Sequence, residues 1–118
     1  MLHLYCLLIR EMTKQNNNTH ADWSYSAVLY EMNIRQLTPE GTLSAAEKKL
    51  EFLHSLGIDA IWMMPIYPIG EENRKGSLGS YYSIQDYCAV NPEFETIDDF
   101  DSFVAKALSL GMKILLDW

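Results

Sequence analysis

The sequence predicts an α/β fold in which parallel strands alternate with helices, in the order β-α-β-α-β. Two observations lead to this prediction. Apolar runs at residues 58–66 and 113–118 each follow a segment whose apolar residues recur at helical spacing. Each helical segment also ends on a Leu-Gly pair, at Gly57 and at Gly111, directly before the next apolar run. The two halves of the chain therefore repeat one local pattern, as βα units do.

Composition limits the classes of protein and partner. The chain has 118 residues, with nine Lys and Arg against sixteen Asp and Glu, and a formal net charge of −7. An apolar fraction of 48% excludes intrinsic disorder and fits one globular domain. We expect no nucleic-acid partner, because phosphate binding requires a basic face. We also expect no membrane partner, because no apolar run is long enough to span a bilayer.

The first 24 residues are expected to form a weakly structured N-terminal extension, and residues 25–118 the folded domain. The extension begins with an apolar run at residues 2–9 and continues into an asparagine-rich polar stretch. No positive charge precedes this run and no small-residue cleavage site follows it, so it does not match a signal peptide. The location is left open between cytoplasmic and secreted.

A first strand is predicted over residues 27–34, which are rich in strand-forming side chains. The turn residues Thr38-Pro39-Glu40-Gly41 follow it. The next helix is predicted over residues 44–56, because Ser44 and Glu47 stand at the spacing of a capping box.

Apolar residues recur along this helix at helical spacing, at Ala46, Leu50, Leu53 and Leu56. Gly57 stands where a left-handed residue commonly ends a helix. A second strand is predicted over residues 58–65, and its nearly unbroken apolar run is typical of a strand covered on both faces.

The segment 67–95 has no regular pattern and is predicted to be a long loop. Thr96 and Asp99 then stand at capping-box spacing and predict a helix over residues 97–110. Its predicted buried face consists of Phe100, Phe103 or Val104, Ala107 and Leu108. A third strand is predicted over residues 113–118. This order fits either an open α/β sheet or part of a (β/α)8 barrel, with the second strand beside the other two.

The long loop is rich in tyrosine and follows a predicted parallel strand. Functional sites of α/β proteins are built at the carboxyl ends of such strands. Exposed tyrosine rings there can stack on the apolar face of a sugar. Alternatively, Tyr81, Tyr82 and Tyr87 pack the loop against the domain.

Four sequence blocks follow one another between residues 23 and 118. They are Val28-Leu29-Tyr30-Glu31-Met32-Asn33-Ile34-Arg35-Gln36 with Thr38-Pro39-Glu40-Gly41-Thr42; Leu53-x-x-Leu56-Gly57-Ile58-x-Ala60-Ile61-Trp62-x-Met64-Pro65-Ile66; Tyr82-x-x-x-Asp86-Tyr87 with Asn91-Pro92-x-Phe94-x-Thr96-x-x-Asp99-Phe100; and Gly111-Met112-Lys113-Ile114-Leu115-Leu116-Asp117. In this order and spacing, the blocks resemble the catalytic domain of the α-amylase family, glycoside hydrolase family 13.

The resemblance implies the N-terminal β-α-β-α-β portion of a (β/α)8 TIM barrel, truncated in the third strand. The implied parent is a glycosidase or transglycosylase that acts by a retaining mechanism on the α-glucosidic bonds of starch-type substrates or malto-oligosaccharides. The implied partner is therefore an α-glucan or an oligosaccharide. The chain alone is expected to be inactive, because the family's catalytic carboxylates stand on later strands.

By the same resemblance, Tyr82 would stack on the sugar at the cleavage point. Asp86 and Asp117 would support the site without taking part in the chemistry. No catalytic residue, metal ligand or cofactor is expected in this chain, although the resemblance allows Ca²⁺ in the longer parent. Glu95 departs from the family pattern, which usually has glycine at this position.

Two alternatives remain at this stage. One is a non-catalytic member of the family, of the type associated with transporters. The other is an unrelated small α/β binding module built on an open sheet.

Overall fold

The computed structural model describes residues 20–118. The apolar run at residues 2–9 and most of the predicted extension lie outside this range. The assignment of residues 1–24 to an extension and 25–118 to a domain stays a prediction.

Three parallel strands form one sheet in the order β1-β2-β3. The strands are β1 (Leu29–Met32), β2 (Ala60–Met63) and β3 (Lys113–Leu116). In register, Met32 is the partner of Met63, and Met63 is the partner of Leu116. The carboxyl ends of all three strands therefore lie side by side, and the predicted parallel pairing with β2 in the centre is confirmed.

Four α-helices lie within residues 20–118. They are α1 (Ile34–Leu37), α2 (Leu43–Glu47), α3 (Leu50–Ser55) and α4 (Ile97–Ser109). Short 3-10 turns stand at Asp22–Ser24 and at Pro92–Phe94. The sequence predicted neither α1 nor the division of one helix into α2 and α3.

The N-terminus of α2 corrects the predicted cap. Thr42, not Ser44, is the N-cap residue, and its side chain accepts a 3.3 Å hydrogen bond from the backbone N–H of Ala45. The backbone N–H of Ser44 instead donates to Oε2 of Glu95 at 2.7 Å. The helix thus begins before the predicted capping box, and a carboxylate from a distant part of the chain binds another of its free N–H groups.

Glu95 holds this position in a backbone conformation that glycine adopts most readily. Its φ is 91° and its ψ is −142°. Such a conformation strains a residue with a Cβ and persists only where surrounding contacts hold it. The hydrogen bond to Ser44 is one such contact, so the residue that departs from the family pattern joins its loop to α2.

The start of α4 matches the prediction. Thr96 is its N-cap, the Thr96 side chain accepts from the N–H of Asp99 at 3.3 Å, and the Thr96 N–H donates to Oδ2 of Asp99 at 2.9 Å. The Thr96 hydroxyl also donates to Oδ2 of Asp99. This bond is the largest cause that holds the pKa of Asp99 below its usual value, and the bond from the Thr96 N–H adds to it. The predicted capping box is confirmed.

The core lies between the helices and one face of the sheet. Its buried members come from the strands, the helices and the loops between them, and they include Met32, Leu43, Leu50, Ile61, Met63, Phe94, Phe100, Phe103, Ala107 and Met112. On the opposite face of the sheet, Trp62 is 41% exposed and its register partner Leu115 is also exposed. Ala60, which shares this face of β2 with Trp62, is fully buried, so the prediction that β2 is covered on both faces is met at Ala60 and not at Trp62.

Two predicted core residues, Leu56 and Leu108, are exposed. Leu56 stands after the last residue of α3, where the chain turns into the left-handed conformation of Gly57 at φ 84°. It therefore no longer follows the buried stripe of the helix. Leu108 lies one residue beyond Ala107, which places it at the edge of the α4 stripe.

Candidate functional site

The candidate site lies at the carboxyl ends of the strands. Asp117 directly follows β3, and its backbone N–H donates to the carbonyl of Met63 at 2.9 Å. This bond continues the pairing of β2 and β3 past the last strand residue. The Asp117 side chain is thereby fixed at the edge where sites of parallel α/β folds are built.

Tyr82 reaches this edge from the long loop after β2. Its hydroxyl donates to Oδ2 of Asp117 at 2.7 Å, while its side chain remains 54% exposed. The bond retains the phenol proton, and the nearby negative charge disfavours the phenolate. The pKa of Tyr82 is accordingly raised, with the hydrogen bond to Asp117 as the largest cause and the charge of Glu31 as a smaller one.

The loop that carries Tyr82 is held by its own hydrogen bonds. Ile69 and Ile84 form an isolated antiparallel bridge, and the N–H of Gly70 donates to the carbonyl of Ser83 at 2.7 Å. Arg74 closes the loop by donating to the carbonyl of Ile69 at 2.7 Å. The loop is irregular, as predicted, but it has a defined conformation.

Asp86 takes a separate place in this loop. Its Oδ1 accepts a hydrogen bond of 2.8 Å from the backbone N–H of Cys88, which is a local Asx turn. The structure thus joins Tyr82 to Asp117 and assigns Asp86 to the turn that leads out of the loop. The supporting roles of Asp86 and Asp117 stay predictions.

The other two loop tyrosines have packing contacts. The Tyr87 ring lies 5.7 Å from that of Tyr67 and 6.1 Å from that of Trp118, between ring centroids. The Tyr81 hydroxyl donates to Oδ1 of Asn33 at 3.2 Å. Tyr81 therefore supports the packing alternative. Tyr87 is as exposed as Tyr82, at 54%, but its ring lies against two other aromatic rings.

An ion pair beside Tyr81 was not predicted. Arg35 donates to both carboxylate oxygens of Glu93, at 2.7 and 2.6 Å. Its guanidinium carbon lies 4.5 Å from the centroid of the Tyr81 ring. The partners stand 58 residues apart, so no local spacing could have indicated the pair.

Within residues 20–118, no three His, Cys, Asp or Glu side chains come together as metal ligands. Calcium in the longer parent, which the resemblance allows, stays a prediction. Across the same residues, every helix is too short or too polar to cross a membrane.

Comparison with protein-family models matches residues 10–118 to the catalytic domain of α-amylase. The chain is 35% identical over 100 residues to trehalose-6-phosphate hydrolase of Escherichia coli, covering 80% of this chain and 17% of that protein. It is 36% identical over 98 residues to the α-amylase SusG of Bacteroides thetaiotaomicron, covering 83% of this chain and 13% of that protein. The chain thus spans less than a fifth of the length of these relatives.

Solved structures agree with the sequence comparison. An α-amylase from Lactobacillus plantarum superposes with a TM-score of 0.76 at 42% identity, covering 77% of this chain and 22% of that one. A maltogenic α-amylase from Thermotoga neapolitana gives a TM-score of 0.72 at 40% identity with the same coverage. The three parallel strands are accordingly an N-terminal portion of a TIM barrel, and the unrelated open-sheet module is overturned. The chain belongs to the α-amylase family of glycoside hydrolases and transglycosylases.

Proposed function

We propose that this chain supplies part of the sugar site of an enzyme acting on the α-glucosidic bonds of starch-type substrates or malto-oligosaccharides. The observation that supports this most is the Tyr82–Asp117 pair at the carboxyl ends of the strands. The tyrosine ring is half exposed and its hydroxyl is fixed at 2.7 Å from a carboxylate oxygen. A ring held in this way offers an apolar face to a sugar without first having to be ordered.

The proposed reaction is a retaining double displacement. One carboxylate attacks the anomeric carbon while a protonated carboxyl group gives its proton to the leaving oxygen, and water or a second sugar then releases the covalent intermediate. We assign both carboxyl groups to residues outside this chain. Tyr82 orients the sugar ring by stacking, and Asp117 orients Tyr82 by accepting its hydroxyl proton in a hydrogen bond.

The test is a hybrid enzyme in which residues 23–118 replace the matched segment of the Lactobacillus plantarum α-amylase. We expect the hybrid to release reducing sugar from maltodextrin, whereas the chain alone releases none above a blank. A folded hybrid without this activity would contradict the proposed substrate class. It would favour a non-catalytic member of the family.

Within the active hybrid, Tyr82→Ala should lower kcat/KM by about tenfold or more, since both stacking and placement of the sugar are lost. Tyr25→Ala is the matched control. Tyr25 is also an exposed tyrosine, but it precedes β1 and lies outside the loop that carries Tyr82. Equal activity of the two folded variants would show that Tyr82 is only a packing residue.

A further inference from the structure

Arg35 lies in α1, shortly after the carboxyl end of β1, and it contacts Glu93 and Tyr81 of the long loop that follows β2. Its guanidinium binds Glu93 through two hydrogen bonds, at 2.7 and 2.6 Å. The paired donors of arginine match a carboxylate in one plane, which fixes the orientation of the group. The bond with Glu93 is the largest cause that raises the pKa of Arg35, so its charge is retained.

This fixed guanidinium lies against Tyr81. The guanidinium carbon is 4.5 Å from the Tyr81 ring centroid and 5.8 Å from that of Phe94, a buried core residue. The Tyr81 hydroxyl donates to Asn33, which precedes α1. Tyr81 is therefore held at its ring by Arg35 and at its hydroxyl by Asn33, both from the segment that follows β1.

Tyr81 and Tyr82 are consecutive in the sequence, and their hydroxyls bind residues that follow the two outer strands of the sheet. Tyr81 binds the segment after β1, whereas Tyr82 binds Asp117 after β3. Because β1 and β3 lie on either side of β2, the two tyrosines span the carboxyl edge of the sheet. The contacts of Tyr81 are therefore one of the restraints on the backbone that carries Tyr82, beside the bond from the Tyr82 N–H to Ser80.

We propose that Arg35 is a positioning residue for Tyr82, acting through the stacked ring of Tyr81. The consequence for sugar binding rests on the proposed function, but the position of Tyr82 does not. The alternative is that the Arg35–Glu93 pair, whose arginine side chain is 17% exposed, only stabilises the fold.

The phenol pKa of Tyr82 distinguishes these alternatives in the whole chain without any sugar. Isotope-edited NMR resolves the tyrosine rings, and Tyr82→Phe assigns the signal. If Arg35 positions Tyr82, Arg35→Lys should lower the Tyr82 pKa toward its ordinary value, because the bond to Asp117 loosens. Lysine keeps the positive charge but lacks the planar fork, so a purely electrostatic effect would leave the pKa unchanged.

Arg35→Gln is a second test, in which the two alternatives change the Tyr82 pKa in opposite directions. Loss of a positive charge alone would raise the Tyr82 pKa, since the phenolate would lose a favourable charge. Loss of positioning would lower it. Lys106→Gln is the matched control, because Lys106 forms a 2.6 Å ion pair with Glu51 between helices and away from the strand ends.

Circular dichroism and urea unfolding establish that each variant is folded. The proposal is supported if the Tyr82 pKa falls in Arg35→Lys and Arg35→Gln and stays unchanged in Lys106→Gln. An unchanged or raised Tyr82 pKa in folded Arg35→Lys overturns it, as does an equal fall in the control. Should Arg35→Gln unfold, Arg35→Lys decides alone. An inactive hybrid enzyme would contradict the proposed function without changing this result.

Discussion

The hydroxyl of Tyr82 donates a 2.7 Å hydrogen bond to Asp117 across 35 residues of chain. Tyr82 comes from an irregular loop and Asp117 from the end of a strand, so the bond joins the irregular and the regular parts of the fold. It leaves the tyrosine ring half exposed at the edge where the strands end. A flexible aromatic side chain is thus given one orientation before any ligand arrives.

Asp117→Asn should lower the phenol pKa of Tyr82, because the carboxylate is the main cause of the raised value. The folded pKa lies above the unfolded one, so the bond stabilises the fold at pH values below the unfolded pKa of about 10. That stabilisation is lost as the pH rises through the folded pKa. NMR titration of the tyrosine rings measures the shift.

Asp86→Asn is the control for this titration, since Asp86 bonds to the backbone of Cys88. It should leave the Tyr82 pKa unchanged. A similar fall in both variants would mean that general negative charge, and not the bond to Asp117, sets the Tyr82 value.

Thr42→Ala should lower the free energy of unfolding by about 1 kcal/mol, the usual cost of removing an N-cap side chain. Ser44→Ala should have a smaller effect, because the cap is Thr42, the Ser44 backbone N–H is kept, and the Ser44 hydroxyl makes only a long hydrogen bond of 3.5 Å to Asp99. Urea unfolding of the two variants compares them directly. If Ser44→Ala lowers the free energy of unfolding more than Thr42→Ala does, Ser44 is the cap, as the sequence predicted.

Glu95→Gly should be more stable than Glu95→Ala by about 1 kcal/mol, since only alanine keeps the backbone strain at positive φ. Both variants lose the carboxylate that binds the N–H of Ser44. Their difference therefore isolates the conformational cost from the lost hydrogen bond. Equal unfolding midpoints with equal slopes would show that the backbone at Glu95 is not strained.

Asp99→Asn should remove part of the acid sensitivity of the fold. The folded pKa of Asp99 is lowered by its bonds with Thr96, so these bonds stabilise the fold above the unfolded pKa of about 3.9. This stability is lost as the pH falls through the folded pKa. Urea unfolding at a series of acidic pH values measures it.

Asp98→Asn serves as the control for the acid series, because Asp98 lies in the same helical turn and the capping box uses Asp99. The two variants share the loss of one negative charge near the helix N-terminus. Identical pH dependence in both would show that charge near the helix end, and not the capping box, causes the effect.

The sequence by itself determined the order of the three strands, the two helical segments between them and the parallel pairing, but not α1 or the division of one helix into α2 and α3. Apolar periodicity, the Leu-Gly pairs at Gly57 and Gly111 and the box of Thr96 with Asp99 are local signals, because each depends on residues within a few positions. Helices and strands form through such short-range geometry. The resemblance of whole blocks to a family likewise needs only order and spacing, and the comparisons confirmed it.

Tertiary structure alone decided which side chains meet. The Tyr82–Asp117 bond, the Arg35–Glu93 pair and the Glu95–Ser44 bond join residues that are 35, 58 and 51 positions apart. No local spacing encodes such contacts, since they arise only when strand ends align and loops fold back over them. The same reason explains the wrong cap at Ser44, whose backbone N–H is bound by a carboxylate from a distant loop.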